Sequence, residues 1–290
     1  WAASRFDLRQ FKRADREAPK AYFKGLNLLL NEQTDKAIDA FIEAVQHDPD
    51  TSELHFALGN LFRRRGEFER AVRVHQHLLQ RADLPAAERE RAQHALAQDF
   101  MKAGLIDRAE EAFRALEGTP FETEARLALL GLAERSRDWR AAIDVASLLE
   151  KGGTGSFAHR IAHYHCELSA EADERGDATT AVALLDKAQA SAPQAARPLV
   201  QRAQRLARTG DAAAALAAWE VLRQRNPDAF VRLAGEYVAT AQAAGQADAA
   251  RQALLTLFKQ APGMDLLRAL ATLDGTSAGS SPLLMDLLRE

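Results

Sequence analysis

Three stretches of this chain share one order of polar and apolar positions. Asp35-Lys36-Ala37 leads to Phe41, Glu69-Arg70-Ala71 to His75, and Asp107-Arg108-Ala109 to Phe113. In each, two polar residues precede a small one, and a bulkier side chain follows at i+4, one turn along the same helix face. The frame returns at Ala142, Ala181, Ala215 and Ala250, with Ala146, Leu185, Trp219 and Leu254 in the bulky place. Successive alanines of the frame are 34, 38, 33, 39, 34 and 35 residues apart. A glycine precedes five of them at a fixed spacing (Gly66, Gly104, Gly176, Gly210, Gly245), where the turn of a helical hairpin needs one. Pro49, Pro193, Pro227 and Pro262 recur at a fixed distance after the alanine and close the second helix.

A period of about 34 residues with these markers is that of the tetratricopeptide repeat. The expected fold is therefore all-α: a tetratricopeptide-repeat right-handed solenoid of about seven helix hairpins plus C-terminal capping helices. The small alanine lets the helices of a hairpin approach closely, and the bulky residue fills the space between neighbours. A single hairpin cannot bury its apolar face, so stability accumulates by stacking. Repeat 4 departs from the pattern: Arg137 stands where glycine is usual and Ala146 is small, so Trp139 is expected to fill the gap. Residues 18–150 read as repeats 1 to 4, 151–158 as a flexible glycine-rich joint, and 159–263 as repeats 5 to 7. Residues 264–290 read as a partial repeat and capping helices, ending in a short amphipathic stretch with Leu283, Leu284, Leu287 and Leu288.

Composition supports helix: Ala, Leu, Arg, Glu and Gln dominate, and strand-favouring β-branched residues and tyrosine are scarce. The formal net charge of −3 gives no general attraction to nucleic acid, so electrostatic recognition must come from local patches. The single cysteine, Cys166, allows no intrachain disulfide. No apolar run reaches the roughly 18 residues that span a bilayer. Residues 1–17 are different in character, with Trp1, Phe6, Leu8 and Phe11 among Arg5, Arg9, Lys12, Arg13 and Arg16. One reading is a frayed lead-in helix; the other is the cytoplasmic flank of a membrane helix, with Trp1 at the interface and the bases Arg5, Arg9, Lys12 and Arg13 inside. A chain that opens on Trp1 without methionine favours the second.

Solenoids of this class bind other proteins along the concave face formed by the first helix of each repeat. Counting along the repeat, the inward positions give Glu53, Phe56, Asn60, Arg63 and Arg64 in repeat 2. Repeat 3 gives Arg91, His94, Gln98, Met101 and Lys102, and repeat 4 gives Glu124, Leu127, Gly131, Glu134 and Arg135. The candidate partner-binding set is Phe56, Asn60, Arg63, Arg64, His94, Gln98, Lys102 and Arg135, since amides and cations can grip peptide backbone and acidic side chains. Asp173 and Glu174 of repeat 5 also face inward, so the groove should change sign there. Tyr22, Leu26, Leu29 and Leu30 make the matching face of repeat 1 apolar.

Hydrolase, kinase and dinucleotide motifs are absent from the sequence, and the chain is expected not to be an enzyme. On a helix His159, His163 and Cys166 share a face, an arrangement that can hold a transition metal. The plainer reading, a packed cysteine among surface histidines, is favoured because no second cysteine accompanies it. No catalytic or metal-ligating residue is assigned, and a redox or metal enzyme centred on Cys166 stands as a remote rival.

Several segments go beyond the generic repeat. They are residues 22–38 (Tyr-Phe-Lys-Gly-Leu-Asn-Leu-Leu-Leu-Asn-Glu-Gln-Thr-Asp-Lys-Ala-Ile), 58–67 (Leu-Gly-Asn-Leu-Phe-Arg-Arg-Arg-Gly-Glu) and 73–77 (Arg-Val-His-Gln-His). Residues 99–110 (Asp-Phe-Met-Lys-Ala-Gly-Leu-Ile-Asp-Arg-Ala-Glu) and 161–168 (Ile-Ala-His-Tyr-His-Cys-Glu-Leu) complete the set. Together they resemble the lipopolysaccharide assembly protein B family, over repeats 1 to 5. The resemblance implies an adaptor anchored in the bacterial inner membrane by one N-terminal helix, with its repeats on the cytoplasmic side. It implies as partners the deacetylase of the lipid A pathway, a membrane AAA+ protease, and other inner-membrane regulators of lipopolysaccharide. It also implies a C-terminal rubredoxin-like domain holding iron or zinc on two Cys-x-x-Cys pairs; no such pair occurs here, and both anchor and metal domain are expected to lie outside this fragment. The alternative is a generic repeat scaffold for another envelope complex, which the basic flank at residues 5–13 disfavours because it would place the repeats in the periplasm.

Overall fold

The computed structural model describes residues 23–275, apart from 29, 32 and 49. The expectations for Trp1, Arg5, Arg9, Lys12, Arg13, Tyr22 and Leu29, and for the helix at 283–288, lie outside the described residues. Within them every regular element is a helix. No described helix is long and apolar enough to cross a membrane.

The chain forms two compact units, divided between Asp138 and Trp139. After a helical stretch at 23–28, the first unit contains α1 (Thr34–His47), α2 (Ser52–Arg64), α3 (Phe68–Gln80), α4 (Ala86–Lys102), α5 (Ile106–Arg114) and α6 (Glu122–Ser136). The alternation of first and second helices follows the predicted hairpins: α2 and α4 open repeats 2 and 3, α3 and α5 close them. Ala37, Ala71 and Ala109 are fully buried, as close helix approach demands. Where the next helix starts, Gly66 (φ 78°) and Gly104 (φ 75°) take the left-handed conformation that ends a helix without a Cβ penalty. Repeat 4 has no glycine there, and Arg137 adopts the same conformation (φ 58°), the only non-glycine with positive φ among the described residues. That substitution stores about 1 kcal/mol of backbone strain.

In repeats 1 and 2 the bulky residue of the second helix packs on a glycine of the first. A Cβ at Gly25 would lie 2.8 Å from the Phe41 ring, and one at Gly59 would lie 2.4 Å from His75 Nε2. Ala97 with Phe113 continues the series in a shared core. Repeat 4 departs from this pairing in its residue types, with a leucine, Leu130, at the first-helix position and an alanine, Ala146, at the second, each fully buried. Trp139 does not supply the missing bulk; its ring stacks on Tyr164 at 5.8 Å.

The second unit contains α7 (Trp139–Lys151), α8 (Ala158–Glu174), α9 (Ala178–Ser191), α10 (Ala196–Arg208) and α11 (Ala212–Arg225). It ends with α12 (Pro227–Arg232), α13 (Ala234–Ala243), α14 (Ala247–Gln260) and α15 (Met264–Leu273). The division falls one helix before the glycine-rich segment assigned as the joint, because α7 is bound to α8 through Trp139 and Tyr164. That segment is a tied turn. Gly153 (φ 75°) lets the chain reverse, and the Glu150 carboxylate accepts hydrogen bonds from Ser156 Oγ (3.0 Å) and the Phe157 amide (3.2 Å). The first helix of repeat 7, expected as one element, is broken at Leu233 into α12 and α13. The core of this unit is centred on the fully buried Trp219 and Phe230, with Tyr237 and Leu254.

Candidate functional site

The face expected to bind partners is formed by first helices, α2, α4 and α6 in the first unit. It is laced together by contacts from one repeat to the next. Arg91 of α4 meets Glu53 of α2 at 2.5 Å, and its guanidinium lies over the Phe56 ring at 4.1 Å. Arg63 of α2 reaches Asp99 of α4 at 2.7 Å and the carbonyl of Ala95 at 3.0 Å.

Asp99 is completely buried and unites the two sides of this arrangement. One carboxylate oxygen accepts from Arg63, and the other lies 2.5 Å from Nδ1 of the equally buried His75. His75 occupies the bulky position that phenylalanine fills in repeats 1 and 3, but here the ring carries a polar partner. Its Nε2 lies against Gly59 with no hydrogen-bond partner among the described residues. Asn60 Oδ1 accepts from Arg63 at 2.5 Å, so the network runs from the surface to the core.

These contacts revise several sequence assignments. Phe56 does not face a partner; it is 1% exposed, in a cluster with Leu78, Leu84 and Ala92. Asn60 and Arg63 are spent on the buried carboxylate, so Arg63 is a structural cation and not a free one. His94 is half-buried, stacked on Phe121 at 4.6 Å, and Gln98 Nε2 lies 3.2 Å from its Nε2. Desolvation depresses the His94 pKa, opposed by Glu124 at 3.3 Å. Arg64, Lys102 and Arg135 remain: all three are exposed and make no ion pair among the described residues. They hold one repeat position, at the ends of α2, α4 and α6, where a cation also complements the helix dipole.

The second unit has its own ladder of first-helix contacts. Arg197 of α10 binds Glu167 of α8 at 2.6 Å, and Arg205 of α10 binds Asp173 of α8 at 2.7 Å. Gln204 of α10 donates to Glu236 of α13 at 2.8 Å. Asp173 does face inward as expected, but its charge is compensated. A cavity of about 690 Å³ opens between α8, α10 and α13. Alanines 170, 207, 239 and 243 leave the space and give it apolar surface, Leu185 and Trp219 lie buried at its back, and Gln201, Gln204, Arg208 and Glu236 supply polar groups. Of the residues around this cavity, the sequence pattern marks Asp173 as inward-facing and Leu185 and Trp219 as packing positions, but not the cavity itself. The signal available was the run of alanines on successive first helices, which reads as helix propensity until the helices are placed side by side.

Cys166 is fully buried, packed in a core with Ala162, Leu185 and Ala188, and burial pushes its thiol up to about 11. His163 is engaged with Arg197 and Glu167. The described residues contain no group of three or more histidine, cysteine or carboxylate side chains suited to a metal ion.

The tetratricopeptide repeat family matches residues 24–87 and 94–156. Lipopolysaccharide assembly protein B of Escherichia coli (strain K12) is 42% identical over 177 residues, covering 61% of this chain and 46% of that protein. The Haemophilus influenzae protein of the same name is 32% identical over 216 residues, covering 71% and 54%. The chain thus spans about half the length of the curated relatives it matches. A solved tetratricopeptide repeat protein from Parabacteroides merdae is similar at 16% identity and TM-score 0.44, covering 90% of this chain and 100% of that one. The chain is an all-helical tetratricopeptide-repeat solenoid, and the resemblance to lipopolysaccharide assembly protein B read from its sequence is borne out as homology.

Proposed function

We propose that this chain is the repeat body of an adaptor in lipopolysaccharide assembly, which binds a client protein through its first helices. The observation that carries the reading is the 42% identity to lipopolysaccharide assembly protein B, extending over 177 residues. Arg64, Lys102 and Arg135 supply the chemistry: an exposed cation at one position in three successive repeats, suited to an acidic stretch of client. The client is the deacetylase of the lipid A pathway, presented to a membrane AAA+ protease, so that binding here sets how much lipid A is committed. On this reading the repeats work at the cytoplasmic side of the bacterial inner membrane, near other regulators of lipopolysaccharide. Any iron or zinc belongs to a rubredoxin-like domain and takes no part in the work of these repeats.

The test is a binding titration of the purified chain with the deacetylase. The triple variant Arg64→Glu, Lys102→Glu, Arg135→Glu should lose at least about tenfold in affinity, mostly through association rate and with strong salt dependence. Its helicity should be unchanged, since exposed substitutions cost about 0.5 kcal/mol or less each. Wild-type chain that does not bind the deacetylase, but captures another envelope component, would favour the generic scaffold instead.

A further inference from the structure

The cavity in the second unit has the chemistry of a ligand site, and its charges indicate the ligand. Of its carboxylates, Asp173 is neutralised by Arg205 at 2.7 Å and Arg208 at 3.5 Å. Glu236 has no cationic partner among the described residues; it holds only the amide nitrogen of Gln204. Gln204 spends a donor on that bond and keeps its carbonyl oxygen as an acceptor. Gln201 also lines the cavity, and its Oε1 is buried without any hydrogen-bond partner. A buried acceptor left unpaired costs about 1–3 kcal/mol, a penalty that an incoming donor removes. With Arg208 held by Asp173, the groups left uncompensated are therefore one carboxylate and the amide acceptors, while the alanine surfaces suit an apolar stem.

We propose that this cavity takes the lysine or arginine side chain of an extended segment in a protein partner. The methylene stem would lie against the alanines, and the cationic head would reach Glu236 and the free amide oxygens. A volume of about 690 Å³ is ample for one such side chain and its neighbours. Arg208, exposed at the rim, can donate to a backbone carbonyl of the same segment. An acidic side chain would meet Glu236 and unsatisfied acceptors, so it is excluded by the groups that attract a base. The site is separate from the cations of the first unit and does not depend on which client they bind.

Fluorescence anisotropy with the whole chain tests this. The probes are short labelled peptides of alanine, serine and glycine with one central lysine, arginine, norleucine or glutamate. Lysine and arginine peptides should bind saturably, the norleucine peptide at least about tenfold more weakly, and the glutamate peptide more weakly still. Glu236→Gln should weaken the lysine peptide by about tenfold, and Ala239→Phe, which fills the cavity from an exposed helix position, should abolish binding. Circular dichroism establishes that both variants fold, and Lys36→Glu, at an exposed position of the first unit, should bind the lysine peptide as wild type does. The proposal is overturned if no lysine or arginine peptide binds below about 1 mM. Equal affinity for norleucine or glutamate, or indifference to Glu236→Gln, overturns it as well.

Discussion

Asp99→Ala removes a carboxylate with no solvent exposure and two polar partners, Arg63 at 2.7 Å and His75 at 2.5 Å. Deleting one member of a buried charge pair costs about 3–5 kcal/mol, because the other is left buried and uncompensated. Two features moderate that figure. The Arg63 side chain is 18% exposed, and it keeps the Ala95 carbonyl and Asn60 as acceptors. A third aggravates it, since His75 loses its only hydrogen-bond partner, worth about 1–3 kcal/mol for a buried group. A net loss of about 4 kcal/mol is expected, a large share of the 5–15 kcal/mol typical of a folded domain. Urea unfolding followed by circular dichroism gives the total. Hydrogen exchange should show α2, α3 and α4 losing protection before the second unit does. A triple variant, Arg63→Met with His75→Phe and Asp99→Leu, should recover most of the loss, because apolar packing replaces a buried ionic network at little cost. Phenylalanine at 75 restores what Phe41 and Phe113 provide at the same repeat position. A loss below about 1 kcal/mol for Asp99→Ala would refute the assignment of this carboxylate as the keystone of repeats 2 and 3.

Two further predictions concern packing and pH. Gly59→Ala should destabilise by about 1–3 kcal/mol, since a Cβ would fall 2.4 Å from His75 Nε2, whereas Gly131→Ala, with nothing within 4 Å, should stabilise by about 0.5–1 kcal/mol. Urea titrations of the two variants should move in opposite directions; a gain at both positions would mean that His75 does not occupy that space. Burial depresses the pKa values of His55, His94 and His165 below 6.5, so the unfolded chain binds more protons than the folded one as pH falls through that value. Their contribution is complete above pH 6.5 and shrinks below it, so the thermal midpoint should drop between about pH 7 and pH 5. A His94→Gln, His165→Gln variant should show a shallower drop, and an equal one would assign the acid sensitivity to other groups.

The fold was legible because it is written many times. Alanine, bulky residue, glycine and proline recur at one period, and each recurrence makes the others less accidental. Where a repeat broke its own rule, the sequence showed the departure but not the remedy. Ala146 announced missing bulk, and the nearest aromatic, Trp139, was the natural filler; the structure spends Trp139 on Tyr164. Position along a helix told which residues lie near one another, and the structure does join Asn60 to Arg63. It could not tell which of them would be occupied. Arg63 is claimed by Asp99 from the next repeat, 36 residues away, and a one-residue step along the helix separates it from the exposed Arg64. Phe56 shows the same limit from the other side, since a register counted to the inner face met a ring turned into the core.

The two binding proposals rest on a division between charges claimed by neighbouring repeats and charges left unclaimed. A solenoid needs adjacent first helices to hold register, and here that task falls to pairs such as Glu53 with Arg91, Asp99 with Arg63, Glu167 with Arg197 and Asp173 with Arg205. Charges committed in this way cannot be turned to a partner without loosening the repeats that present them. On the proposed reading, recognition falls to charges outside these pairs: Arg64, Lys102 and Arg135 at the helix ends of the first unit, and Glu236 with the amide acceptors beside it in the second. Counting formal charge on the inner face would give mixed sign throughout. Subtracting the inter-repeat pairs leaves a basic row and a base-seeking pocket, each available to a segment of opposite character.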